Sequence, residues 1–158
     1  MESNLEVILG LGSNIGDRAQ NLEDSIEELN FQFGKFIQRS SIYESLPVDY
    51  LDQDLFLNMV IMYTIDSKIK AIDFLEKIQS IERKLGRIKT IPKGPRSIDI
   101  DILYFSNEEI KSKNLVIPHP GIMRRDFVIY PLQELTQSTR KIKIPTPHQS
   151  LKNNLKKY

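Results

Sequence analysis

From Ile98 to Ile102 the chain reads Ile-Asp-Ile-Asp-Ile, apolar and acidic residues in alternation, with Leu103 and Tyr104 following. Period two is the pattern of a strand with one buried face. The isoleucines face a core. Asp99 and Asp101 share the opposite face, with Cα atoms about 6.5–7 Å apart. Two carboxylates that close repel each other unless a metal or converging basic side chains lie between them. Basic groups are at hand: Arg87, Lys89, Lys93 and Arg96 before the strand, and His119, Arg124 and Arg125 after it. A hard, all-oxygen pair suits Mg²⁺ better than zinc. Carboxylates ringed by Arg and Lys are what phosphoryl-type transfer uses, because a metal bridges the phosphates while the cations neutralise developing charge. A solvated polar face on an edge strand would show the same Asp-x-Asp; the surrounding arginines favour a site.

The chain has 158 residues, enough for one domain with a proper core, and its 27% of charged residues nearly cancel to a net +1. A near-neutral balance gives no global pull toward nucleic acid or membrane. With no cysteine, disulfides, thiol catalysis and zinc-thiolate sites are excluded. No basic region followed by an apolar run opens the sequence, and no apolar stretch has bilayer-spanning length. The expectation is a cytoplasmic protein of a single domain, 1–158, with a C-terminal extension from about residue 136.

Val7 to Leu11 reads as a strand entering the turn Gly12-Ser13-Asn14-Ile15-Gly16-Asp17, with Asn14 or Asp17 placed to cap a helix from about Asp17 to Leu29. The turn lacks the Gly-Lys-Ser/Thr of a P-loop, and Ile15 stands where a dinucleotide fingerprint starting at Gly10 needs glycine. It reads as structural. Phe36 to Glu44 is a second strand, Leu46 to Asp54 a loop, and Leu55 to Ile65 a well-buried strand. In that strand Asn58 is the polar exception on the face of Phe56, Val60 and Met62. A buried amide must be satisfied, by a neighbouring loop or by a ligand. Phe74, Ile78, Ile81 and Leu85 space a helix over 68–85, stopped by Gly86. Glu82 lies in its last turn, where the helix dipole disfavours a carboxylate, so a compensating Arg83 or Arg87 is expected. A basic loop, 87–93, leads into the Asp-x-Asp strand. Ser106 to Glu109 reads as a turn, Leu115 to Ile117 as a short strand, and Phe127 to Leu135 as buried and partly helical. His119, between two prolines and before Arg124 and Arg125, favours an anion site. From Thr136 a weak terminal helix is the most that the sequence supports. The order strand–helix–strand, strand–helix–strand predicts an α+β fold of ferredoxin-like type, an antiparallel sheet with helices packed on it in α/β/α layers.

These residues resemble the 6-hydroxymethyl-7,8-dihydropterin pyrophosphokinase family of folate biosynthesis. The resemblance rests on Leu11-Gly12-Ser13-Asn14-Ile15-Gly16-Asp17-Arg18, Leu57-Asn58, Ile81-Glu82 and Gly86-Arg87. It continues through Gly94-Pro95-Arg96-Ser97-Ile98-Asp99-Ile100-Asp101-Ile102-Leu103, Ile117-Pro118-His119-Pro120, Arg125 and Phe127. These stand in family order over about Leu5 to Leu135. The resemblance implies transfer of pyrophosphate from ATP to the pterin hydroxymethyl oxygen, with AMP leaving. It implies that Asp99 and Asp101 hold two Mg²⁺ ions. Arg87, Arg96, His119 and Arg125 would contact ATP phosphates, with Glu82 also on the ATP side; Arg87 and Arg96 would assist catalysis. Asn58 would hydrogen-bond a pterin stacked between Phe56 and Phe127, and Ser45, Leu46 and Val48 would line its edge. Small molecules are the implied partners, without nucleic acid or membrane. Two positions depart from the pattern. Lys93 stands where an aromatic usually precedes Gly-Pro-Arg, and Lys89 where a second arginine is frequent, keeping charge without the bidentate fork. Two other classes compete. A metal-dependent nuclease would add a third acidic ligand and an extended basic face, and a non-catalytic module would hold phosphate or RNA on the basic loop.

Overall fold

The computed structural model describes residues 4–47, 54–86 and 97–158. The strands are β1 (Asn4–Ser13), β2 (Gln38–Arg39), β3 (Tyr43–Ser45), β4 (Phe56–Asp66), β5 (Asp99–Phe105), β6 (Ile110–Lys111), β7 (Val116–Ile117) and β8 (Lys156–Lys157). The helices are α1 (Arg18–Phe33), α2 (Ala71–Lys84) and α3 (Asp126–Leu132), the last running into a 3-10 turn at Gln133–Leu135. Six of the strands form one antiparallel sheet in the order β5–β1–β4–β3–β8, with β2 also on β4; β6 and β7 make a separate hairpin. With β2 and β3 taken together as one broken strand, β1, α1, β2/β3, β4, α2 and β5 have the ferredoxin-like order with all neighbours antiparallel.

Alternation along β1 splits the core in two. Val7, Leu9 and Leu11 point to one face, where Leu22, Ile26 and Leu29 of α1 and Phe74, Ile78 and Ile81 of α2 cover them. Ile8 points to the other, joined by Val60, Met62 and by Val128, Ile129 and Leu132 of α3. Period two in the strands and the three-to-four spacing in the helices meet at these contacts. The expected α/β/α layering is therefore present. A register shift between Ile8 and Leu9 gives β5 an extra residue, so that Leu103 and Tyr104 both enter the α3-side core and Phe105 returns to the other.

Several boundaries differ from the sequence reading. The strand expected over 36–44 is broken into β2 and β3, because the Ser40 N–H donates to the Val60 carbonyl while the Ser40 hydroxyl accepts the Val60 N–H. A side chain there takes over what a strand partner would do. α1 runs on to Phe33, capped by Asp17, whose carboxylate accepts the Gln20 N–H at 3.1 Å. α2 starts at Ala71, and Gly86 beyond it adopts φ 78°, the left-handed conformation that ends helices. The terminal segment forms a strand rather than a helix: β8 lies along β3, and the Tyr158 N–H donates to the Ile42 carbonyl. Further back, Glu6 of β1, 7% exposed, accepts the backbone N–H groups of Arg140, Lys141 and Ile142 at 2.8, 2.9 and 3.1 Å. That carboxylate fastens the extension to the sheet.

Candidate active site

β5 is an edge strand, and its aspartates sit at the end of the sheet where β1 carries glycine. Cross-strand register places Asp99 opposite Gly12 and Asp101 opposite Gly10. On the other side of β1, Gly12 faces Asn58, which in turn faces Tyr43. Directly opposed residues project to the same face. One row thus reads Tyr43, Asn58, Gly12, Asp99, with a bare backbone between amide and carboxylate. Two strand spacings separate Asn58 from Asp99, about 10 Å. The bareness is required: a Cβ on Gly12 would lie 2.9 Å from Asn58 Oδ1. The sequence reading puts Gly10 in the strand, where it fails as the start of a dinucleotide fingerprint, and Gly12 in a structural turn. Two glycines at i and i+2 in a strand, which leave one face without side chains, were the available signal.

Along the free edge of β5 runs a cavity of about 400 Å³, lined among others by Glu82, Asp99, Asp101 and His119, with Lys113 and Asn114 from the β6–β7 hairpin. Glu82 is buried, and its Oε2 accepts the Ile100 N–H at 2.8 Å, between the two aspartates. That bond comes from a backbone donor of the strand edge; of the expected arginine partners, Arg87 lies outside the described residues. His119 is attached to the same edge, its N–H donating to the Leu103 carbonyl at 3.0 Å. Its Nδ1 accepts the Gly121 N–H at 2.9 Å, so the neutral ring carries its proton on Nε2.

At the other end of the row, Asn58 and Ser45 are both buried and joined, Asn58 Nδ2 donating to Ser45 Oγ at 2.6 Å. Phe56 begins β4 on the same face, next to the position a Gly12 side chain would take. Arg125 and Phe127 flank the start of α3, with the guanidinium 5.8 Å from the ring centroid. Gly121 makes that pose possible, since a Cβ there would lie 2.8 Å from Arg125 Nε. Behind the row, Glu134 accepts the Ser41 N–H and the hydroxyls of Ser41 and Tyr43. Burial opposes ionisation of Glu134, yet the bonds from Tyr43 and Ser41 win and hold its carboxyl below the ordinary range. Burial, then the Glu134 hydrogen bond and charge, push the Tyr43 hydroxyl up to about 12. Leu46 is 67% exposed. Val48, Arg87 and Arg96, with Lys89 and Lys93, lie outside the described residues.

Asp99 and Asp101 fit Mg²⁺ by donor chemistry: two carboxylates with hard oxygens on one face beside an open cavity, which would leave coordination positions for water. Among the described residues no three His, Asp or Glu side chains gather as a metal cage.

A model of the 7,8-dihydro-6-hydroxymethylpterin-pyrophosphokinase family matches residues 8–137. The chain belongs to this family. Membership makes this pterin pyrophosphokinase homologue an enzyme of the diphosphotransferase class. A Bacillus subtilis 2-amino-4-hydroxy-6-hydroxymethyldihydropteridine pyrophosphokinase is 41% identical over 134 residues, covering 84% of this chain and 79% of that one. A folic acid synthesis protein of Pneumocystis carinii is 38% identical over 133 residues, 84% of this chain. This chain spans only 18% of that relative's length. A solved HPPK-DHPS in complex with substrates superposes with a TM-score of 0.70 at 14% identity, covering 92% of this chain and 42% of that one. At that identity the likeness is one of fold, and the fold is the ferredoxin-like α+β arrangement.

Proposed function

We propose that this protein transfers the terminal pyrophosphate of ATP to the hydroxymethyl oxygen of 6-hydroxymethyl-7,8-dihydropterin in folate biosynthesis. The observation that carries the reading is the row Asn58–Gly12–Asp99: an amide pocket and a carboxylate pair on one sheet face, divided by bare backbone, in a chain of this family. The hydroxymethyl oxygen attacks the β-phosphorus. The bond from that phosphorus to the bridging oxygen breaks, AMP leaves, and the hydroxyl proton passes to a nearby carboxylate or water. Such a step depends on alignment and charge neutralisation more than on an activated protein nucleophile.

Asp99 and Asp101 hold two Mg²⁺ ions, which when bound supply Lewis-acid stabilisation of phosphate charge. His119 Nε2–H and the Arg125 guanidinium donate to phosphate oxygens, as do Arg87 and Arg96 from the basic loop. Glu82 lies on the ATP side and keeps the strand between the aspartates in place. Asn58 hydrogen-bonds the pterin, whose rings lie between Phe56 and Phe127 with Ser45, Leu46 and Val48 at its edge. The reading takes residues 1–158 as one domain, acting in the cytoplasm on small molecules and not on nucleic acid or membranes. No described helix is long and apolar enough to cross a membrane.

AMP formation from Mg-ATP, with and without the pterin, tests this in wild type and Asp99→Ala. The expected result is pterin-dependent AMP release that falls about a thousandfold in the variant, several kcal/mol of lost charge stabilisation. Pterin-independent AMP, or equal rates in both proteins, would sink the assignment.

A further inference from the structure

Arg18 opens α1, where a cation stands against the helix dipole, so helix stability does not account for it. Its Nη1 donates to Glu44 Oε2 at 2.7 Å and to the Leu55 carbonyl at 3.0 Å. Those acceptors belong to two adjacent strand ends. Glu44 precedes Ser45 at the end of β3, and Leu55 precedes Phe56 at the start of β4. Register pairs Ser45 with Phe56 and Tyr43 with Asn58. One nitrogen therefore ties together the strand ends that carry Ser45, Phe56 and Asn58. Asn14, from the same turn, adds a second tie, its Nδ2 donating to the Asp54 carbonyl at 3.1 Å. The guanidinium also lies 6.0 Å from the centroid of the Tyr158 ring, on the segment that lines the outer edge of β3. β3 spans only three residues, too few ladder bonds to fix the spacing of its end unaided.

We infer that Arg18 is a positioning residue for the pterin end of the site, acting through Ser45 and Asn58 rather than on the substrate. The inference rests on the pterin assignment proposed above. Ser45 and Asn58 share a 2.6 Å bond that a small slide of β3 against β4 would break. That slide would misplace the amide while leaving the Asp99–Asp101 edge, two strands away, untouched.

Equilibrium titration with 6-hydroxymethyl-7,8-dihydropterin, and separately with a non-hydrolysable Mg-ATP analogue, tests it on Arg18→Met, Arg18→Lys and Asn58→Ala. Arg18→Met should raise the pterin Kd about 10-fold, the order expected from misplacement by a fraction of an ångström, with the Mg-ATP Kd within about twofold. Arg18→Lys should recover only part of the loss, because an ammonium keeps the charge but not the planar fork. Equal weakening of both ligands, or of neither, overturns the role. If Asn58→Ala weakens the pterin and Arg18→Met does not, Arg18 alone is wrong. If Asn58→Ala leaves the pterin Kd unchanged, the pterin assignment has failed and takes this inference with it. Should Arg18→Met not fold, Glu44→Gln replaces it: the acceptor survives without its charge, and a pterin-only effect of about threefold is expected, its absence counting against the role.

Discussion

The two faces of β1 are built to opposite rules. Val7, Leu9 and Leu11 form an unbroken apolar row beneath α1 and α2. Glu6, Ile8, Gly10 and Gly12 form the other row, and no two neighbours there do the same job. Glu6 binds the C-terminal segment, Ile8 belongs to the α3-side core, Gly10 makes room for the Leu103 side chain, and Gly12 leaves the floor bare between Asn58 and Asp99. One face is filled for stability. The other is filled only where the site is not, and α3 covers the part that stays closed. The lesson is that a strand's two faces can be assigned separately, residue by residue, so damage to each should read out differently.

Phe74→Ala strikes the filled face. Phe74 is fully buried against Phe33 and Phe105, with ring centroids at 5.1 and 5.6 Å. The truncation should cost about 3–5 kcal/mol, measured by denaturant unfolding, while the surviving folded protein keeps its pterin affinity. Glu6→Ala strands three backbone donors and should cost about 1–3 kcal/mol, with the 140–142 amides losing protection in hydrogen exchange. Gly12→Ala attacks the open face. Its methyl meets Asn58 Oδ1, so the pterin Kd should rise about 10-fold, with a stability loss of about 1 kcal/mol. A Gly12→Ala protein that unfolded early yet bound pterin normally would erase the contrast between the faces.

The smallest effect comes from the Tyr43–Glu134 pair, and it has two limbs. Glu134 has a lowered pKa in the fold, so its contribution is present above the ordinary carboxyl range and is lost as pH falls through the lowered value. Tyr43 is raised from 10 to about 12, so its contribution is complete below pH 10 and is lost as pH climbs toward 12. Glu134 is exposed and Tyr43 only half-buried, which limits the total to under about 1 kcal/mol. Unfolding midpoints across pH should show an alkaline limb in wild type and a smaller one in Tyr43→Phe, where burial still raises the Tyr63 and Tyr104 hydroxyls.

Much of this was legible in the sequence because it rests on periodicity. The alternation of β5, the spacing of α2 and the apolar run of β4 each name their own buried face, and from them follow the layers and the pairing of Asp99 with Asp101. What was illegible depends on partners far along the chain. Ser40 interrupts a strand only because Val60 lies opposite. Glu82 was flagged as needing compensation, but no pattern points from it to a backbone N–H eighteen residues on. A Lys-Lys pair becomes strand β8 only because β3 offers it an edge. Asn14 looked like a cap and instead reaches Asp54, while Asp17 does the capping.

An edge strand with idle peptide groups invites a foreign strand to add to it, and a second copy of the same chain is the nearest candidate. β5 lies at such a margin, open on one side as substrates would require. Yet beside the aspartates its outward donor is already held by the Glu82 carboxylate, and its outward acceptor at Leu103 by the His119 amide. Both attachments come from segments that the site needs in any case. The strand can stay exposed to small molecules and still give a passing chain little backbone to pair with, so guarding against self-association and holding the aspartates in place are served by the same two bonds.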